Sequence, residues 1–205
     1  MAAGVVDPRA FPALADYLAK LPSGLASYPA ARSKGILLRS SMSSHFFHRT
    51  WKDLPRELVD AVKAPPLATS WVSTALTDAV FCLVADTFHP TREAVLEWSY
   101  ERTYRLTHVP MYATLTKMAG LDRFLRACAR VHAMFQQGTD LSVDVRGTTA
   151  EIVLSHPPHL HGPLNHLSNE GVFRAVLDAA GARNATMSLE TSEPERATYR
   201  ASWER

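Results

Sequence analysis

The spacing of apolar positions along this chain changes once, from a period near four in the first two thirds to a period of two in the last third. Helices are therefore predicted first. Asp7-Pro8 offers a carboxylate cap with proline at the first helical position, and "RAFPALADYLAKL" then puts Phe11, Leu14, Tyr17 and Leu18 on one stripe before Pro22-Ser23-Gly24 stops it. Residues 24–54 are less regular: "KGILLRS" reads as a short strand and "SHFFHRTW" as part of a helix with an aromatic face. From Pro55 the pattern clears into a short helix, "PRELVDAVKA", ended by Pro65-Pro66, and a largely buried one, "TSWVSTALTDAVFCLVADTF". "PTREAVLEWSYERTYRL" opens with proline near its first turn and carries an i,i+4 pair from Glu101 to Arg105, and "PMYATLTKMAG" closes on Gly120. The clearest helix spans 120–137, with Leu121, Phe124, Leu125, Cys128, Val131, His132 and Phe135 on one stripe and Arg123, Arg126 and Arg130 opposite.

Beyond Gly138 the alternation takes over. "DLSVDVRG" turns Leu141, Val143 and Val145 to one side, and "TTAEIVLS" does the same with Ile152 and Leu154. A loop rich in proline and histidine leads to a helix, "NEGVFRAVLDAAGA", and two last strands follow, "NATMSLET" and "RATYRASW", separated by Ser192-Glu193-Pro194-Glu195. The pattern predicts an α+β fold: an N-terminal helical half, then a four-stranded antiparallel sheet in β-β-α-β-β order. With no internal repeat and no low-complexity linker, residues 1–205 read as one domain, with 1–138 mainly helical and 139–205 forming the ββαββ half.

Composition narrows the class without naming an activity. The chain has 205 residues, 46% hydrophobic and 20% charged, with a net charge of +2 and both signs interspersed, so no concentrated basic footprint for nucleic acid is expected. Cys82 and Cys128 lie in separate apolar stretches and read as buried thiols of a reducing compartment. The longest apolar run, "AVFCLVA", is seven residues and cannot span a bilayer, and the start of the chain lacks a secretory pattern. The expectation is a cytoplasmic protein.

Candidate chemistry centres on histidine. "SHPPHLHGPLNH" packs His156, His159, His161 and His166 into twelve positions, yet no cysteine and no HExxH helix accompanies them. The expectation is an exposed connection from strand to helix, with no native metal. His132 differs because it lies within the apolar stripe: such a residue is either a core histidine satisfied by a neighbouring polar group or an axial ligand for haem iron. No GxSxG elbow, no activated cysteine and no glycine-rich phosphate loop is present.

The helices followed by "LSVDVRGTTAEIVLS", the proline-rich loop, "GVFRAVLDAAGARNATMSLE" and a terminal "ATYRASW" resemble the 4-vinyl-reductase-type ligand-binding domain. That superfamily includes the haem–nitric-oxide-binding domains, and within it the chain looks most like a paralogous family of myxobacterial proteins of about this length. The resemblance implies an apolar cavity between helices and sheet, lined here by Trp71, Phe81, Tyr112, Phe124, Cys128, His132 and Phe135. It departs from its zinc-carrying members, whose last hairpin bears a cysteine pair that "TSEPERATYRAS" lacks, and from its haem-binding members, whose Tyr-x-Ser-x-Arg motif is absent. The leading expectation is a non-catalytic domain that senses a small hydrophobic molecule, without a cofactor, as a homodimer or with a partner protein. The alternatives are a haem-based gas or redox sensor using His132, and an interaction or scaffold module with a closed core; an enzyme comes last.

Overall fold

The most apolar helix sits at the centre of the first half. A computed structural model describes residues 6–43, 45, 54–109 and 120–204. In it α4 (Thr74–Phe88) buries Thr74, Ala75 and every residue from Thr77 to Ala85, and α1 (Pro12–Lys20), α2 (Gly35–Met42) and α3 (Arg56–Lys63) pack around it. Ser73 caps α4 by accepting from the Leu76 N–H at 3.4 Å, so the helix begins later than its apolar run suggested and Trp71–Ser73 forms a short strand instead. Helix α1 also starts later than expected, at Pro12. Its cap comes from α4, where the Asp86 carboxylate accepts from the N–H groups of Ala13 (3.1 Å) and Leu14 (2.9 Å).

Three short strands tie the helical half together. β1 (Arg32–Lys34) pairs antiparallel with β2 (Trp71–Ser73) on one side and β3 (Gln136–Gln137) on the other. The sequence "KGILLRS" thus ends a strand and opens α2, where a strand was expected throughout. Three apolar residues in a row do not distinguish the two periods. The helix start is set by distant backbone: the N–H groups of Gly35 and Ile36 donate to Ser70 O (2.8 Å) and Ala68 O (2.9 Å). The aromatic segment 46–53 and the expected helix at 110–119 lie outside the described residues.

α5 (Arg92–Thr107) is capped by Thr91 and runs against α7 (Pro163–Ala179) at close range. Gly171 makes that approach possible, since a Cβ there would stand 2.5 Å from Leu96 O and 3.0 Å from Tyr100 N. Gly171→Ala is expected to lower the unfolding free energy by about 1–2 kcal/mol through this overlap, although alanine favours helix. A urea melt that shows equal or greater stability contradicts the tight crossing.

The second half is the expected sheet. β4 (Asp140–Arg146), β5 (Thr149–Ser155), β6 (Arg183–Glu193) and β7 (Arg196–Glu204) form one antiparallel sheet in the order β4-β5-β7-β6, with α7 entering between β5 and β6. Alternation puts Ile152 and Leu154 of β5, and Ala197, Tyr199, Ala201 and Trp203 of β7, on the buried face. α6 (Gly120–Phe135) and α7 cover that face. The fold is α+β with seven helices among the described residues, none of them long and apolar enough to cross a membrane.

Candidate functional site

Where α5, α6 and α7 meet the sheet, the side chains leave a cavity of about 200 Å³. α6 supplies Phe124, Cys128, Val131, His132 and Phe135, the stripe visible in the sequence. Thr103, Leu106 and Thr107 come from α5, and Asn169, Val172, Phe173 and Val176 from α7. Leu141 and Leu154 form the sheet side, and Leu37 of α2 closes an edge. Apolar surface dominates, and among the described lining residues the polar side chains are threonine, glutamine, asparagine and histidine.

Four of the seven residues predicted to line a pocket are there: Phe124, Cys128, His132 and Phe135. Trp71 and Phe81 are not, and this corrects the expectation. Trp71 sits on β2 with the Lys34 ammonium 4.0 Å from its ring centre, and Phe81 stacks on Trp98 at 4.8 Å inside the helical core. Tyr112 lies outside the described residues. The walls from α5 and α7 had no signal of their own, because a stripe such as Val172, Phe173 and Val176 reads equally well as ordinary core.

His132 is the one titratable base on the described lining. Its Nε2 lies 2.9 Å from Thr139 Oγ1, and the Thr139 hydroxyl donates to Gln136 Oε1 at 3.3 Å, so His132 Nε2–H donates to Thr139. Burial pushes the imidazole down to about 4, helped by the nearby His161 and opposed by Asp140. The ring is neutral at pH 7, the form a metal requires. Cys128 is the reverse case: burial raises its thiol to about 12, so it is no thiolate nucleophile. Cys82 is buried in α4, its thiol raised by burial and by Asp78, and it forms no disulfide. Among the described lining residues no nucleophile is paired with a base.

The histidine loop departs furthest from expectation. His156, His161 and His166 are buried, where an exposed connection was expected, and only His159 keeps partial exposure. The reason is long-range: His161 reaches Asp78 of α4 (2.6 Å) and His166 reaches Ser192 at the end of β6 (2.7 Å). As they stand, no three His, Cys, Asp or Glu side chains among the described residues share a ready-made ion position.

No protein-family model matches the sequence, and no curated protein does. Solved structures do. A Cs H-NOX variant carrying 4-cyano-L-phenylalanine superposes with TM-score 0.54 at 11% identity, over 84% of this chain and 97% of its own. The Fe(II) unliganded H-NOX protein of K. algicida gives 0.53 at 6%, with the same coverages. A structure described for modulating haem redox potential through porphyrin distortion gives 0.54 at 11%, over 83% and 93%. At such identities the likeness establishes a haem–nitric-oxide-binding-like fold. Of the family resemblances read from the sequence, these structures bear on the haem–nitric-oxide-binding one. They also correct the expectation that no cofactor is involved, since two of these neighbours are described by an Fe(II) state and by haem redox potential.

Proposed function

We propose that the chain is a ligand-sensing domain whose cavity takes haem, with His132 as the axial ligand. The observation that carries this is a neutral imidazole on the wall of an apolar cavity between helices and sheet. The donor set fits the group: imidazole is an iron ligand, and the lining is the low-polarity surface a porphyrin face needs. When bound, haem would supply an iron position open to a small gas molecule. The protein's own part is to orient and to relay. Thr139 orients the His132 ring through Nε2. With Nε2–H donated, the lone pair of the neutral ring is on Nδ1, so coordination through Nε2 would require Thr139 to release it. Because Thr139 stands between β3 and β4, its release reaches both sheets, which gives ligand entry a route to a surface read by a partner protein or a second copy.

A second reading keeps the sensor and replaces haem by a small apolar or aromatic molecule. Two observations favour it. The cavity of about 200 Å³ is below the roughly 300–1,000 Å³ usual for ligand sites, so a macrocycle needs the walls to part. No lysine or arginine is among the described lining residues to receive haem carboxylates.

Titration of the full chain with haemin, followed by absorbance and native mass spectrometry, separates the two. A one-to-one adduct with a sharp Soret band, lost or shifted in His132→Ala, is the expected result. An unchanged free-haemin spectrum contradicts the haem reading, and a retained small aromatic in the same mass spectrum then supports the second.

A further inference from the structure

Away from the cavity, three imidazoles converge where the β5–α7 connection passes the β6–β7 hairpin. His156 is 8% exposed, His161 4% and His166 1%. Their partners fix which nitrogen each ring can offer. His156 Nδ1–H donates to the Pro157 carbonyl at 2.9 Å, because a carbonyl can only accept. His161 Nδ1–H donates to the Asp78 carboxylate at 2.6 Å. With Nδ1–H engaged in this way, the neutral form of each ring carries its lone pair on Nε2. His156 Nε2 lies 2.9 Å from His166 Nε2, whereas His161 Nε2 is buried without a hydrogen-bond partner. A polar nitrogen buried without a partner is unfavourable. Each of the three rings is held through Nδ1, while His156 and His166 turn Nε2 toward each other and His161 leaves Nε2 unpartnered. Carboxylate and carbonyl groups on the second nitrogen are what orient metal-binding histidines.

We infer that His156, His161 and His166 bind one Zn²⁺ through their Nε2 atoms, leaving a fourth position for water or another ligand. Imidazole donors without thiolate suit zinc, and three protein ligands with an open position match its non-structural sites. The Asp78 carboxylate behind His161 offsets part of the charge.

The rings require a small closure to do this. Their centres are 4.8 Å apart for His156 and His161, 5.0 Å for His156 and His166, and 6.5 Å for His161 and His166. Zn–N bonds of about 2.0–2.1 Å put ring centres about 5 Å apart and Nε2 atoms about 3.3 Å apart. Zinc binding thus draws His161 inward by about 1 Å and opens the His156–His166 contact slightly. The proton count closes without release: in the metal-free pair His166 Nε2–H donates to His156 Nε2, and on binding that proton moves to His166 Nδ1, where the Ser192 hydroxyl turns from donor to acceptor. The ion would join α4, through Asp78 and His161, to the start of α7 and to the hairpin at Ser192.

Competition between the haem-free full chain and a chromophoric chelator, with Zn²⁺ as the probe, tests the inference. One equivalent bound with a dissociation constant below about 1 μM is expected, with Co²⁺ giving the visible bands of a tetrahedral site. His161→Gln is expected to weaken Zn²⁺ binding at least 100-fold and Asp78→Asn about 10–100-fold. His159→Gln and His89→Gln leave it unchanged. Far-ultraviolet circular dichroism establishes folding, and should His161→Gln fail to fold, the wild-type stoichiometry and Asp78→Asn decide. Substoichiometric binding, or binding that survives His161→Gln and disappears in His89→Gln, overturns the site.

Discussion

Tyr199→Ala is expected to remove about 4 kcal/mol of unfolding free energy, and Tyr199→Phe about 1 kcal/mol. Tyr199 is 0% exposed in the middle of β7, opposite Ile152 of β5 and Leu189 of β6. Its ring meets Phe173 of α7 edge-on at 5.0 Å, and its hydroxyl donates to the His166 carbonyl at 3.1 Å and accepts from Asn169 Nδ2 at 3.4 Å. Burial raises the phenol well above its usual range, so it stays neutral and remains a donor. Alanine deletes the ring between sheet and α7 and leaves a void that rigid neighbours fill only in part. Phenylalanine keeps the packing and loses the two hydrogen bonds. Urea melts of the metal-free protein at pH 7.5 measure both. A Tyr199→Ala loss under 1 kcal/mol would mean that sheet and helix are held elsewhere.

Tyr199 also illustrates what the sequence could and could not disclose. The alternation in "RATYRASW" puts Tyr199 and Trp203 on one face, and that face is buried. Hairpin neighbours follow from short turns, so β4–β5 and β6–β7 were legible. The pairing of β5 with β7 crosses α7 and was legible only as a consequence of the fold class. Element starts were the weak point wherever distant groups set them. Asp86 caps α1 from more than seventy residues away, and Gly162-Pro163 opens α7 inside a stretch whose prolines and histidines read as loop. Proline at the first helical position was the signal there, and the histidines obscured it.

The same division governs the two candidate sites. The cavity face of α6 was legible because its stripe is local, whereas the α5 and α7 walls depend on which helix faces which. Trp71 and Phe81 belong to the expected lining only through the family resemblance and their place on apolar helix faces, neither of which fixes where a side chain points. The strand at β2 and the stack on Trp98 take them elsewhere. For the histidine trio the governing contact joins His161 to Asp78 across 83 positions, and neither residue's neighbours in sequence point to the other. Proline and glycine around the trio suggested exposure, since loops ordinarily run on the surface. Burial here goes with long-range polar contacts: every Nδ1 has a partner, and only His161 Nε2 is left without one.

Acidification from pH 7 to 4 is expected to cost about 2–3 kcal/mol of stability at one further pair, His45 and His89. The His89 ring stacks on Trp98 at 4.5 Å, and its Nε2 lies 3.0 Å from His45 Nε2. Burial pushes His89 down to about 4, with the His45 charge adding to it. His45 is lowered too, by burial first and then by Arg105. Both folded values lie below the roughly 6.5 of an unfolded histidine, so between those limits the unfolded chain binds more protons. Stability from this pair is therefore complete above about pH 6.5 and falls as pH drops toward 4, the opposite of a histidine held charged by a carboxylate. His89→Leu removes one titrating group while keeping an apolar side chain against Trp98. Its denaturant midpoint is expected to fall less steeply over the same pH range, although the variant starts from lower stability at pH 7 for want of the ring stack. Parallel curves for wild type and variant would place the acid sensitivity among the other eight of the chain's nine histidines.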